Sequence, residues 1–209
     1  MSLGTRFETA LAVTARLHRR QRRKGGEIPY VAHLLAVTAL VLEHGGCEDE
    51  AIAALLHDAV EDQGGEATAE TIERLFGERV RALVDACTDA AMGSPAAQLP
   101  WRRRKEAHLE RLAGADDAVI LIVTADKLHN LRAIVSDYKG LGERLWSRFV
   151  GGREGTVWYY RRINEVVCHD APPGLARQYR EALDELVAIV GAVPPDDSDE
   201  SDGPRSAQR

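Results

Sequence analysis

The chain has 209 residues, 44% of them hydrophobic and only 5% aromatic, with a formal net charge of −6. That length and composition point to one Ala/Leu/Val-rich helical domain. They exclude a membrane-spanning helix, because no apolar run approaches the roughly 18 residues a span needs. The start of the chain, Met1-Ser2-Leu3-Gly4-Thr5-Arg6, lacks the apolar stretch of a signal peptide. Cys47, Cys87 and Cys168 have neither a CxxC nor a metal-finger spacing. A reducing cytoplasm is therefore the expected compartment, with no disulfide framework.

In chain order, Phe7, Leu11, Ala15 and His18 step along one face of a first helix expected to run to about Lys24 and to end at Gly25-Gly26. Pro29 opens a second helix, Tyr30 to Glu43. Glu48-Asp49-Glu50 places acids in the first turn of a third, which Gly64-Gly65 closes. Thr68 and Thr71 are candidate caps for a short helix, Ile72 to Phe76, and Arg79 to Ala86 follows after Gly77. Residues 89–100 read as a loop, and a charged helix runs from Trp101 to Leu112. Ala118 to Val123 is β-branched and would suit a buried strand, but its long periodic continuation to Tyr138 makes the whole segment helical. Thr156 to Val167 and Gly174 to Val190 are the last helices. Residues 194–209 form an acidic Ser/Asp/Gly-rich tail, expected to be disordered, which leaves 1–193 as the domain.

His57-Asp58 lies at the end of the apolar run Ala51 to Leu56, followed by Glu61 and Asp62. A buried imidazole and carboxylate are costly unless paired or bound to a metal. An Asp beside a His suits Mn, Fe, Co or Zn. On this segment alone, a capped core helix whose charges reach water fits equally well. His33 on the apolar second helix reads as a core residue or a ligand, whereas Asp126 in a buried helix requires compensation. Two basic clusters, Arg16 to Lys24 and Arg102 to Lys105, suggest a local anionic ligand on an acidic protein, or else solvated helix faces. Nonspecific nucleic-acid binding is not expected.

His33, His57-Asp58 and Asp126, in that order, resemble the H…HD…D metal set of the HD-domain phosphohydrolase superfamily. The flanking text, Arg22-Arg23-Lys24, Pro29-Tyr30-Val31-Ala32-His33, Leu55 to Asp62, Phe76-Gly77 and Ala125 to Arg132, is similar to the hydrolase domain of RelA/SpoT-type alarmone enzymes over residues 5–140. The resemblance implies an all-α HD-domain helical bundle with extra C-terminal helices. It also implies metal-dependent hydrolysis of the 3′-diphosphate of a purine alarmone, (p)ppGpp giving GDP or GTP plus pyrophosphate, with (p)ppApp as a variant substrate. No synthetase, ACT or TGS segment follows, so a stand-alone hydrolase is expected.

By the same resemblance, His33, His57, Asp58 and Asp126 hold one Mn2+ or another divalent ion. Glu61 and Asp62 position and deprotonate the attacking water. Arg23 stacks on the purine, Lys24 contacts a phosphate, Asn130 bonds the nucleotide, and Lys105 with Arg104 meets distal phosphates. Tyr159 or Arg161 closes the site. The chain departs from the usual pattern at Ile28, Leu34, Gln63, Lys127 and Ala133. The base specificity stays open, as does the oligomeric state. A different HD nucleotide phosphohydrolase (a nucleotidase or a dinucleotide 3′-phosphatase) and a noncatalytic nucleotide sensor are the alternative readings.

Overall fold

The computed structural model describes residues 2–90 and 92–191. The expected acidic tail, 194–209, lies outside the described residues. Among them the regular structure is helical: α1 (Thr5–Leu17), α2 (Val31–Glu43), α3 (Glu48–Leu56), α4 (Ala59–Asp62), α5 (Gly65–Phe76), α6 (Glu78–Cys87), α7 (Trp101–Leu112), α8 (Asp117–Leu141), α9 (Gly152–Val167) and α10 (Pro173–Gly191), with short 3₁₀ turns at Pro95–Gln98 and Gly142–Arg148. An isolated antiparallel bridge joins Arg22 and Pro29. No helix among the described residues is long and apolar enough to cross a membrane.

The 25-residue α8 is the axis of the bundle, packed against α2, α10 and α6. Its start is set by Asp116, whose carboxylate accepts the Val119 N–H at 3.0 Å. Ala118 to Asp126 is buried on every face, which explains a sequence that mimics a buried strand. Ile122 is fully buried there, so Ile122→Ala should cost about 2–5 kcal/mol by leaving a cavity that rigid neighbours cannot fill. A drop of that size in chemical denaturation would confirm the axial role; a loss under 1 kcal/mol would count against it.

α3 begins at Cys47, whose N–H is bonded by the Glu50 carboxylate at 2.6 Å, and its acidic first turn matches the helix dipole. Ala51 to Leu56 is wholly buried. The helix does not continue to Gly64 as expected. It breaks at His57-Asp58, where Asp58 takes φ −96° and ψ −2°, and resumes as α4.

Three further expectations need correction. α1 ends at Leu17, well before Lys24. The chain from His18 to Tyr30 is instead a turn held by Arg23 N–H to Ile28 O (2.8 Å) and Tyr30 N–H to Gln21 O (3.0 Å). Gly25 sits there at φ +75°, a conformation other residues rarely adopt. The buried stripe of α1 is Ala10, Thr14 and then His18, with Ala15 exposed, so the face is rotated from the one expected. Thr68 and Thr71 lie inside α5, which starts at Gly65, and their hydroxyls donate back to Gln63 O and Ala67 O rather than capping.

Candidate active site

Three elements bring the expected ligand set together: His33 from α2, His57 and Asp58 from the break between α3 and α4, and Asp126 from the buried half of α8. The Nε2 atom of His57 lies 3.0 Å from Asp58 Oδ2 and 3.6 Å from Asp126 Oδ1. That of His33 lies 3.2 Å from Asp126 Oδ1 and 3.7 Å from Asp58 Oδ2. Donor atoms of His33, His57 and Asp58 all fall within 4.8 Å of one another. Both imidazoles are buried, and neither Nε2 has a hydrogen-bond partner among the described residues.

The opposite ring nitrogens explain this orientation. His57 Nδ1–H donates to Ala54 O at 2.8 Å, which leaves Nε2 as the nitrogen that faces the carboxylates and, once it gives up its proton, offers a lone pair to a metal. His33 Nδ1 is 2.8 Å from His129 Nδ1. Burial, then His33 and Arg23, push His129 down to about 4, so it is neutral and can accept from His33. Two inward-facing imidazole nitrogens beside two carboxylates form a donor set that fits a borderline divalent ion.

The charges are mutually compensated. Burial opposes ionisation of Asp58, but His57 and His33 outweigh it and hold the carboxyl well below the usual range. Asp126 is likewise held low against burial by Lys127, His33 and His57. Lys127 Nζ donates to Asp126 Oδ2 at 2.5 Å, and Asn130 Nδ2 donates to Asp126 Oδ1 at 2.6 Å. Arg23 Nη2 in turn donates to Asn130 Oδ1 at 2.9 Å, linking the turn between α1 and α2 to α8 beside the carboxylates. Tyr30 O–H donates to Asp58 Oδ2 at 2.6 Å.

Glu61 and Asp62 flank the ligand set without joining it. Glu61 Oε2 accepts the Asp89 N–H at 3.3 Å. Asp62 Oδ2 accepts from Gln21 Nε2 at 2.7 Å, and Gln21 Oε1 accepts from Gln63 Nε2 at 2.5 Å and from His18 Nδ1 at 2.6 Å. Burial first, then the neighbouring Asp58 charge, raises the pKa of both carboxyls. Groups so tuned are suited to proton transfer nearer neutrality.

A cleft of about 500 Å³ opens beside this cluster, lined by Arg23, Lys24, Lys105, Lys127, Asn130 and Tyr159 among others. Lys24 Nζ stands 5.8 Å over the Phe149 ring, and the Arg23 guanidinium 5.8 Å over Tyr30. Lys105 Nζ is 2.9 Å from Asp89 Oδ2 and 4.9 Å over Tyr159, while Arg104 reaches the same carboxylate at 3.2 Å. Of the two residues expected to close the site, Tyr159 lines the cleft. Arg161 does not: it lines a separate groove with Trp158 and Val190. Two positions beyond Tyr159, a rotation of about 200°, Arg161 faces away from the cleft.

Sequence reasoning missed Gln21, Asp89 and His129, and quoted Tyr30 without a role. His129 lies one turn after Asp126, and Tyr30 one turn before His33, so helical spacing could have found both. Gln21 and Asp89 reach the site only through tertiary packing, and no local signal marks them.

The HD domain family matches residues 10–157. The guanosine-3′,5′-bis(diphosphate) 3′-pyrophosphohydrolase MESH1 of Xenopus tropicalis is 40% identical over 156 residues, covering 73% of this chain and 78% of that protein. A probable guanosine-3′,5′-bis(diphosphate) 3′-pyrophosphohydrolase of Synechocystis is 37% identical over 118 residues, which is 56% of this chain but 15% of that longer protein. The solved structure of a metazoan ortholog of SpoT, described as hydrolysing ppGpp, superposes with a TM-score of 0.67 at 29% identity, covering 92% of this chain and 99% of that one. The chain belongs to the HD domain family and, within it, to the group that contains the MESH1-type 3′-pyrophosphohydrolases.

Proposed function

We propose that this chain hydrolyses the 3′-diphosphate of a purine alarmone, converting (p)ppGpp to GDP or GTP and pyrophosphate. The observation that carries this reading is the pair of inward, unpartnered imidazole nitrogens and their two carboxylates beside a cleft lined with cationic side chains. Its nearest chemical support is the activity named for the Xenopus tropicalis relative and for the metazoan structure.

His33, His57, Asp58 and Asp126 would hold one divalent ion, which we take to be Mn2+. When bound, it lowers the pKa of water and neutralises phosphate charge. Glu61 takes a proton from the attacking water, whose oxygen bonds to the phosphorus next to the 3′-oxygen; the bond from that phosphorus to the 3′-oxygen breaks, pyrophosphate departs, and the 3′-oxygen takes up a proton from solvent to become a hydroxyl. Asp62, held by Gln21, orients the water. The flat Arg23 guanidinium offers a stacking surface for the purine, and Asn130 holds it in place. Lys24 and Lys105 bind phosphate oxygens, with Asp89 keeping Lys105 positioned until substrate arrives. Cys47, Cys87 and Cys168 are all free thiols, in keeping with the reducing cytoplasm where we place the protein.

Protein stripped by a chelator should release no pyrophosphate from ppGpp, and Mn2+ should restore release. Full activity of the stripped protein would refute the reading. The Tyr30 hydroxyl tests the outer support of the same centre. Tyr30→Phe removes the 2.6 Å bond to Asp58 and should weaken metal affinity about tenfold to a hundredfold, read by titrating the stripped variant with Mn2+. An unchanged titration would mean that the hydroxyl does not orient Asp58.

A further inference from the structure

The cleft carries Arg22, Arg23, Lys24, Lys105 and Lys127, as an anionic ligand requires, yet it also contains Asp137, the sole carboxylate lining it among the described residues. A lone carboxylate repels phosphate, so it must face a part of the ligand that bears hydrogen-bond donors instead. Its place on α8 says which part. Asp126, Asn130, Ala133 with Ile134, and Asp137 recur at helical spacing along one face. Asp137 is eleven positions beyond the metal-site residue, a rise of about 16 Å, which leaves room for phosphate, sugar and base in series. Phe149, Ile28 and Ile134 also line the cleft and give it apolar surface suited to a flat ring.

Resting on the alarmone reading above, we propose that Asp137 recognises the base and makes the site selective for guanine over adenine. Guanine presents two adjacent donors on one edge, N1–H and the 2-amino group, which a carboxylate can accept together. Adenine presents a donor and, at N1, a lone pair that the carboxylate repels. Arg148 Nη1 approaches Asp137 Oδ2 at 3.5 Å, with the two side chains 28% and 50% exposed. So long and exposed a pair is weak and leaves the carboxylate available. Arg148 also packs against Gly25, tying the turn that bears Arg23 to this end of α8. Ala133 leaves space at the neighbouring position.

The test compares kcat/KM for ppGpp and ppApp in the wild-type protein, Asp137→Ala and Asp137→Asn, alongside calorimetric affinities for GDP and ADP. The wild type should favour guanine by about tenfold to a hundredfold, the range of a charged hydrogen bond. Asp137→Ala should bring both ratios close to one, mainly through KM. Asp137→Asn, which offers one acceptor and one donor, should shift them toward adenine. Ratios that stay the same in both variants, or a wild type that prefers adenine, would overturn the assignment. Should wild-type protein release no pyrophosphate from either alarmone, the hydrolase reading fails, and the GDP-to-ADP affinity ratio still judges Asp137.

Discussion

Asp58→Ala should abolish both metal binding and turnover. Its Oδ2 atom is the meeting point of the centre, 3.0 Å from His57 Nε2, 3.7 Å from His33 Nε2 and 2.6 Å from the Tyr30 hydroxyl. Removing it takes away one of four donors and the negative charge that offsets a divalent cation. It also removes the leading influence that raises the pKa of His57 against the effect of burial. His57 should therefore titrate lower in the variant than in the metal-free wild-type protein. Metal content by elemental analysis and pyrophosphate release are the two readouts. Near-stoichiometric metal, or a wild-type rate, would remove Asp58 from the ligand set.

Glu61→Ala should separate chemistry from metal binding. Glu61 stands outside the donor cluster and is anchored by the Asp89 N–H, so the variant should retain its ion. Loss of a general base costs about a hundredfold to ten-thousandfold in rate. The pH profile supplies an independent check. A base works ionised, and burial together with Asp58 raises the pKa of Glu61 above its ordinary value. Activity should therefore fall as the pH drops through a value higher than that of an ordinary carboxyl, and Glu61→Ala should lose that acidic limb. A variant that lost its metal, or one that kept the limb, would assign Glu61 a different role.

The four expected ligands, His33, His57, Asp58 and Asp126, come from the resemblance to the HD-domain pattern; apolar helical context alone marks Asp126 as needing compensation and leaves His33 open as a core residue. α8 was legible despite its β-branched start because its periodicity continues far beyond strand length. The end of α1 was not, since Arg19 to Lys24 is compatible with a helix. What stops it is a turn closed by backbone bonds from Arg23 to Ile28 and from Tyr30 to Gln21. The break at His57-Asp58 was equally hidden, because Leu55 to Asp62 contains neither Gly nor Pro to announce it. Lys105 lines the cleft, but its partner Asp89 is sixteen residues away, a pairing that no local spacing could announce. Arg161 faces a different groove from Tyr159 because two positions along a helix turn the side chain by about 200°.

The most direct measurement is product analysis of metal-loaded protein, with ppGpp, ppApp and a 3′-phosphorylated dinucleotide tested side by side in Mn2+. Pyrophosphate together with a nucleoside 5′-diphosphate bearing a free 3′-hydroxyl is the expected outcome, with guanine preferred. Orthophosphate as the only product, or turnover confined to the dinucleotide, would contradict alarmone 3′-pyrophosphate hydrolysis.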